Sequence, residues 1–129
     1  MRPSDLQHRR TIRIGSWFCV LFLAFLSLLP SNLEIRTGAP DELEHFLAYF
    51  VAAVLFGLSY TRKPLLVAVA LVSISVLLEA LQAFSPGRSV RLHDVWFSGA
   101  GAISGVVAAS IVVRWRFRLL CSKQISSRP

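Results

Sequence analysis

Polar surface is what this sequence lacks most. Of its 129 residues, 54% are hydrophobic and only 16% are charged, and its mean hydropathy is +0.59. A small soluble domain would expose more polar side chains than this composition can supply. The composition therefore excludes a soluble globular domain and indicates an integral membrane protein.

Cysteine and acidic residues are also scarce. The two cysteines lie far apart, Cys19 in the first apolar block and Cys121 in the basic tail, so no disulfide is expected. Seven Asp and Glu face fourteen Lys and Arg, which gives a formal net charge of +7. The basic residues lie between apolar blocks rather than among solvent-facing aromatic side chains, so we expect no nucleic acid partner.

Four apolar segments run approximately over residues 14–30, 45–60, 64–84 and 94–113. They are too long and too uniformly apolar for the alternating strands of a membrane barrel, which leaves helices as the spanning form. The sequence shows no internal repeat. The end of the first segment lacks the small residues of a signal-cleavage site, so we interpret this segment as a retained helix. The sequence predicts an all-α polytopic membrane protein, with residues 1–129 forming a single domain of four transmembrane helices.

Lysine and arginine are distributed unevenly between the two sides of these four spans. Eleven lie in the N-terminal segment, the connection between the second and third spans and the C-terminal tail, whereas the other side carries only Arg36, Arg88 and Arg91. The positive-inside rule then predicts both termini in the cytoplasm, for a multi-pass protein of the cell inner membrane.

Polar residues flank or interrupt the second and third segments. Asp41, His45 and Tyr49 are spaced i, i+4 and i+8, so a helix places them on one ridge. Glu79 and Gln82 are spaced i and i+3 and share one face near the end of the third segment. With both termini inside, these groups are predicted at the outer end of the bundle.

Two further charges belong to the same end. Arg88 follows the third segment and Asp94 begins the fourth. A carboxylate at the depth of Glu79 costs of order 2 to 3 kcal/mol on insertion scales, so it needs a partner. Arg88, His45 and Tyr49 are the candidates.

These residues allow two interpretations. In the first, Glu79, Gln82, Arg88 and Asp94 form a polar latch that joins helices without any ligand. In the second, they line a pocket open to the outer face that binds a polar or anionic lipid-linked group, with Arg88 and Arg91 as hydrogen-bond donors.

Motifs for metal binding and for nucleophilic catalysis are missing. The spacing of histidines and aspartates matches no known metal-ligand pattern, and Ser85, Ser89 and Ser98 lie in no G-x-S-x-G setting. Catalysis would then depend on His45 or Glu79 as a general base. We predict neither a metal nor a cofactor, and we rank binding above catalysis.

The fourth segment carries Gly101 and Gly105 in G-x-x-x-G spacing. Such small residues let two helices approach closely, either within one chain or between two copies. We expect packing within the chain, and the sequence does not determine the oligomeric state.

At its polar residues the sequence resembles the VanZ-like family of small bacterial membrane proteins. The resemblance covers roughly residues 41 to 105. It rests on Asp41-x-x-x-His45-x-x-x-Tyr49, on Glu79-x-x-Gln82 followed by Pro86-Gly87-Arg88, and on Asp94 followed by Gly99, Gly101 and Gly105.

The resemblance implies a protein of the cell envelope with an outward-facing polar site. The namesake of the family is associated with low-level resistance to the glycopeptide teicoplanin, an antibiotic that acts on lipid-linked cell-wall precursor. We therefore predict a protein that binds or modulates envelope lipids or cell-wall precursors. The alternatives are a membrane enzyme acting on lipid-linked substrates and a small proton-coupled transporter that uses Glu79 as proton carrier.

Overall fold

The computed structural model of the chain describes residues 3–29, 38, 40–82, 84 and 92–126. Its secondary structure in these residues consists of four helices. They are α1 (Pro3–Leu28), α2 (Asp41–Ser59), α3 (Pro64–Gln82) and α4 (Leu92–Ser126).

Each helix contains a stretch long and apolar enough to cross a membrane. The candidate spans are Arg10–Leu28, Asp41–Ser59, Pro64–Gln82 and Leu92–Leu119. The predicted all-α fold with four transmembrane helices is confirmed, and the protein is a multi-pass membrane protein. Helices α1 and α4 are longer than the apolar segments that predicted them. Each helix continues into the basic residues beside its apolar segment.

Local sequence explains where α2 and α3 begin. Helix α2 starts with acidic residues in its first turn, which favour the positive end of the helix dipole. The carbonyl of Pro40 accepts hydrogen bonds from the backbone N–H groups of Leu43 (2.9 Å) and Glu44 (3.2 Å). Helix α3 begins at Pro64, whose missing N–H costs nothing in a first turn.

Helix α2 is central to the bundle. It packs most extensively against α4 and also contacts α1 and α3, whereas the described residues of α1 and α4 make no contact with each other. The chain runs up and down, so α2 and α4 are parallel. Their contacts advance together along both helices, from His45 beside Ser98 to Gly57 beside Ala109.

Glycines set the distance between α2 and α4. A Cβ atom on Gly101 would overlap the backbone carbonyl of Phe46, and one on Gly105 would lie 2.5 Å from the carbonyl oxygen of Phe50. The G-x-x-x-G stripe of α4 therefore packs against α2, as expected for packing within the chain.

Large apolar side chains cover the outside of the bundle. Phe18, Leu65 and Ile111 are 69%, 77% and 61% exposed. In water such a surface would be unfavourable, but acyl chains solvate these side chains as well as a protein core does. The interior holds apolar side chains as well, and also small and polar residues, among them Ser16, Ser98 and Glu79.

Candidate functional site

The candidate site lies at the end of the bundle where α2 and α4 begin and where α1 and α3 end. Buried polar side chains concentrate there, on three different helices. They are Tyr49 on α2, Glu79 and Gln82 on α3, and Asp94 and Ser98 on α4. Because burying such groups in an apolar medium is costly unless they are hydrogen-bonded, their partners define the site.

His45 connects α2 to α4 through two polar contacts. Its Nδ1 atom lies 3.4 Å from the hydroxyl oxygen of Ser98, and its Nε2 atom lies 3.8 Å from a carboxylate oxygen of Asp94. Asp94 and Ser98 are spaced i and i+4, so one face of α4 presents both to the imidazole. The His45 side chain is 27% exposed and that of Asp94 is 10% exposed, so the imidazole reaches the surface while its partners stay covered.

This arrangement suits both protonation states of His45. In the neutral ring one nitrogen donates and the other accepts, so Nε2–H can face Asp94 while Nδ1 accepts the hydroxyl proton of Ser98. In the charged ring both nitrogens donate, and the Ser98 hydroxyl can turn to accept. The same two contacts are therefore compatible with a neutral and with a charged ring.

Tyr49 and Glu79 form the next layer, deeper in the bundle. Tyr49 lies one turn after His45 on α2 and is buried. Glu79 is 5% exposed and lies within electrostatic range of the Tyr49 hydroxyl. Of the partners predicted for Glu79, the structure brings Tyr49 close to it, and Arg88 lies outside the described residues.

Gln82 joins α3 to α1. Its side-chain amide donates to the hydroxyl oxygen of Ser27 at 2.6 Å and to the backbone carbonyl of Ser27 at 3.1 Å. Both bonds go to α1 rather than to His45, Asp94 or Ser98, although Gln82 and Glu79 are only three residues apart. Gln82 therefore joins α3 to α1 at this end of the bundle.

Of the remaining predicted site residues, the structure describes Asp41. Asp41 begins α2 one turn before His45 and is partly exposed. The predicted anion donors Arg88 and Arg91 belong to the segment between α3 and α4 and lie outside the described residues. The structure thus brings His45 to Asp94 and Tyr49 to Glu79, and it directs Gln82 towards α1.

Sequence reasoning missed two serines that contribute to this end. In the sequence, Ser98 is considered only as a serine without a nucleophile motif. Its spacing of four residues from Asp94 was the available signal, because an aspartate and a serine one helical turn apart share a face. Ser27 offered only its hydroxyl in an otherwise apolar run, and nothing in the sequence pointed to Gln82 as its partner.

The fully buried polar atoms at this end of the bundle are hydrogen-bonded. No fully buried side-chain nitrogen or oxygen atom in the described residues is without a hydrogen-bond partner. Among the same residues, no group of three His, Cys, Asp or Glu side chains could hold a metal ion.

Comparison of the chain with protein-family models, with curated proteins and with solved structures found no match.

Proposed function

We propose that the protein binds a polar or anionic lipid head group at the His45 end of its bundle, as a VanZ-like protein of the cell inner membrane. The observation that carries this proposal is the partly exposed imidazole of His45, which is supported from behind by Asp94 and Ser98. A histidine held in this way is a directed hydrogen-bonding group at the membrane surface.

The contact distances support binding rather than a closed latch. At 3.4 Å and 3.8 Å, both contacts of His45 are longer than an optimal hydrogen bond of about 2.9 Å. A hydroxyl or phosphate group that hydrogen-bonds the imidazole would therefore replace a long contact rather than an optimal hydrogen bond. The latch between helices is supplied instead by Gln82 and Ser27, whose 2.6 Å bond is short.

The distribution of charge supports an outward-facing site. Exposed cationic side chains collect at the opposite end of the bundle. In the described residues they include Arg10, Arg13, Arg62, Lys63, Arg114, Arg116 and Arg118. The positive-inside rule assigns that end to the cytoplasm and the His45 end to the outer face, where lipid-linked cell-wall precursors are presented. A link to glycopeptide resistance follows from the VanZ-like resemblance alone and is part of the same proposal.

The test is lipid binding by the purified full-length protein. The protein is reconstituted in phosphatidylcholine and titrated with phosphatidylglycerol or undecaprenyl phosphate. We expect either anionic lipid to bind more tightly than phosphatidylcholine, and His45→Ala to weaken its binding about tenfold, the effect of one lost charge-assisted hydrogen bond.

The matched control is His93→Ala, because His93 is an exposed histidine at the same end of α4. We expect this variant to bind like wild type. The proposal fails if no head group is preferred over phosphatidylcholine, or if His45→Ala retains full binding.

A membrane enzyme is the second candidate, and the serine, histidine and aspartate at this site favour it. Ser98 and Asp94 flank His45 as a nucleophile and an orienting carboxylate would flank a general base. Ser98 is only 2% exposed, however, so a substrate could reach it only after α2 and α4 move apart. The more accessible chemistry is activation of a water molecule by His45.

Covalent labelling and turnover separate the enzyme from the binding protein. An enzyme with a Ser98 nucleophile would be labelled by a fluorophosphonate probe, and Ser98→Ala would abolish that labelling. Ser104→Ala is the control, because the Ser104 hydroxyl bonds only carbonyls of its own helix. Neither labelling nor hydrolysis of a lipid-linked ester or pyrophosphate would leave binding as the function.

A further inference from the structure

A groove opens on the lipid-facing side of the bundle, far from His45. It lies between the start of α3 and the later part of α4 and has a volume of about 400 Å³. Leu65 and Ala68 line it from α3, and Ile103, Val107 and Ile111 line it from α4. Volumes of a few hundred Å³ are typical of small-ligand sites.

The α4 wall of the groove is about as long as one membrane leaflet is thick. Its lining on α4 runs from Ile103 to Arg114, which at about 1.5 Å per residue is roughly 16 Å. Half of a hydrocarbon core of about 30 Å is about 15 Å. A single acyl chain that reaches from the membrane surface to the midplane would therefore fill the groove lengthwise.

The surface end of the groove is cationic. Arg114 lines it directly, and Arg62 and Lys63 immediately precede Pro64, which lines it from α3. All three basic side chains are exposed. Arginine binds phosphate oxygens in a bidentate manner, and basic pockets between transmembrane helices bind phospholipid head groups.

The chemistry of the walls favours a lipid over a second copy of the chain. Helix pairs in membranes need small residues at their contact, and the small residues Gly101 and Gly105 of α4 are already packed against α2. The groove is instead bordered by branched side chains such as Ile103 and Val107. Apart from Arg114 at the surface end, Ser110 is the one polar residue among the described wall residues, and it donates its hydroxyl to the carbonyl of Val106, so an apolar chain leaves that hydroxyl paired.

We propose that this groove binds one anionic phospholipid, with an acyl chain between α3 and α4 and its phosphate on Arg114 and Lys63. The site is independent of the His45 site, since the two lie at opposite ends of the bundle. The lipid would hold the start of α3 against α4 on the basic side of the membrane.

Native mass spectrometry of the full chain tests the proposal. The protein is released from nanodiscs that contain equal amounts of phosphatidylglycerol and phosphatidylcholine, and the retained lipids are counted. In the His45→Ala variant, which removes the proposed lipid contact at the other end of the bundle, we expect one retained phosphatidylglycerol. Arg114→Gln should lower its retention about fivefold, the contribution of one surface cation to binding an anionic lipid.

Two pairs of variants make the result specific. Arg116→Gln removes the same charge from an exposed position that does not line the groove, so it should retain the lipid. Ala68→Leu fills the groove and should release the lipid, whereas Ala70→Leu adds the same bulk at an exposed position outside it. Helix content by circular dichroism checks that each variant folds.

Three outcomes would overturn the proposal. Equal losses in Arg114→Gln and Arg116→Gln would mean diffuse charge attraction rather than a site. Unchanged retention in Ala68→Leu would mean that no acyl chain occupies the groove, and a dimer that disappears in Ala68→Leu would identify a second copy as the occupant. Binding at the His45 site is measured separately by His45→Ala, so either proposal can fail alone.

Discussion

Gly101 on α4 lies so close to the backbone carbonyl of Phe46 on α2 that a Cβ atom at residue 101 would overlap the carbonyl oxygen. His45 precedes Phe46, and its partner Ser98 lies three residues before Gly101. The close approach of the two helices and the polar contacts of His45 are therefore one geometric feature.

Gly101→Ala is expected to damage both stability and the site. The added methyl group must push α4 away from α2, which should lower the free energy of unfolding by about 1 to 3 kcal/mol and separate His45 from Ser98. The measurement is unfolding in mixed micelles, followed by circular dichroism. Gly99→Ala is the control, because a Cβ at Gly99 meets nothing within 4 Å; equal stability of the two variants would contradict the prediction.

Gln82 and Ser27 should show a coupled effect on stability. Gln82→Leu and Ser27→Ala each remove the 2.6 Å side-chain bond between α3 and α1. A double-mutant cycle on the free energy of unfolding should give a coupling of about 0.6 to 1.7 kcal/mol, the range of such bonds in membranes. Additive single-mutant effects would show that the bond contributes nothing.

The buried serine pair of α1 and α2 should respond to bulk rather than to loss of its hydroxyl. The Ser16 and Ser59 hydroxyl oxygens are 3.1 Å apart, and each is also within hydrogen-bond distance of a carbonyl of its own helix. Ser16→Ala should therefore cost less than about 1 kcal/mol. Ser16→Leu should cost about 1 to 3 kcal/mol, because Ser16 is fully buried.

A control for Ser16→Leu is Ser73→Leu, which places the same side chain on an exposed position of α3. That surface faces lipid, so this variant should be as stable as wild type. If Ser16→Leu is also as stable as wild type, α1 and α2 do not pack tightly around Ser16.

Reporter fusions test the orientation. A reporter fused after Thr61 should be active in the cytoplasm, and one fused after Ser89, outside the described residues, should be active on the outer side. The reason is the excess of lysine and arginine on the Thr61 side. The opposite result at Ser89 would remove the outward-facing premise of the proposed function.

Much of the fold could be predicted because it depends on local sequence. In the apolar core of a membrane, the backbone of a segment must form its hydrogen bonds within that segment. An apolar run of sufficient length therefore forms a helix. Pro64 predicts the start of α3 for the same local reason. Glu79 is a predicted site residue because a carboxylate inside an apolar segment is costly, and its position is visible in the sequence. His45 is predicted from its spacing to Asp41 and Tyr49.

The pairing of these residues could not be predicted from spacing. Spacing within a helix assigns a side chain to a face, but it does not tell which neighbouring helix that face meets. The contact of His45 with Ser98 joins residues 53 positions apart, and the bond of Gln82 to Ser27 joins residues 55 positions apart. Gln82 and Glu79 share a side of α3 by spacing, yet their partners lie on different helices.

The sequence by itself determined that this chain crosses a membrane four times and that its polar residues gather at one end. Hydrophobic length and the position of charge are properties of each segment, and a bilayer acts on each segment separately. The tertiary structure decided which polar groups meet. The glycines of α4 let it pack against α2 at backbone distance, and this packing puts Asp94 and Ser98 beside His45.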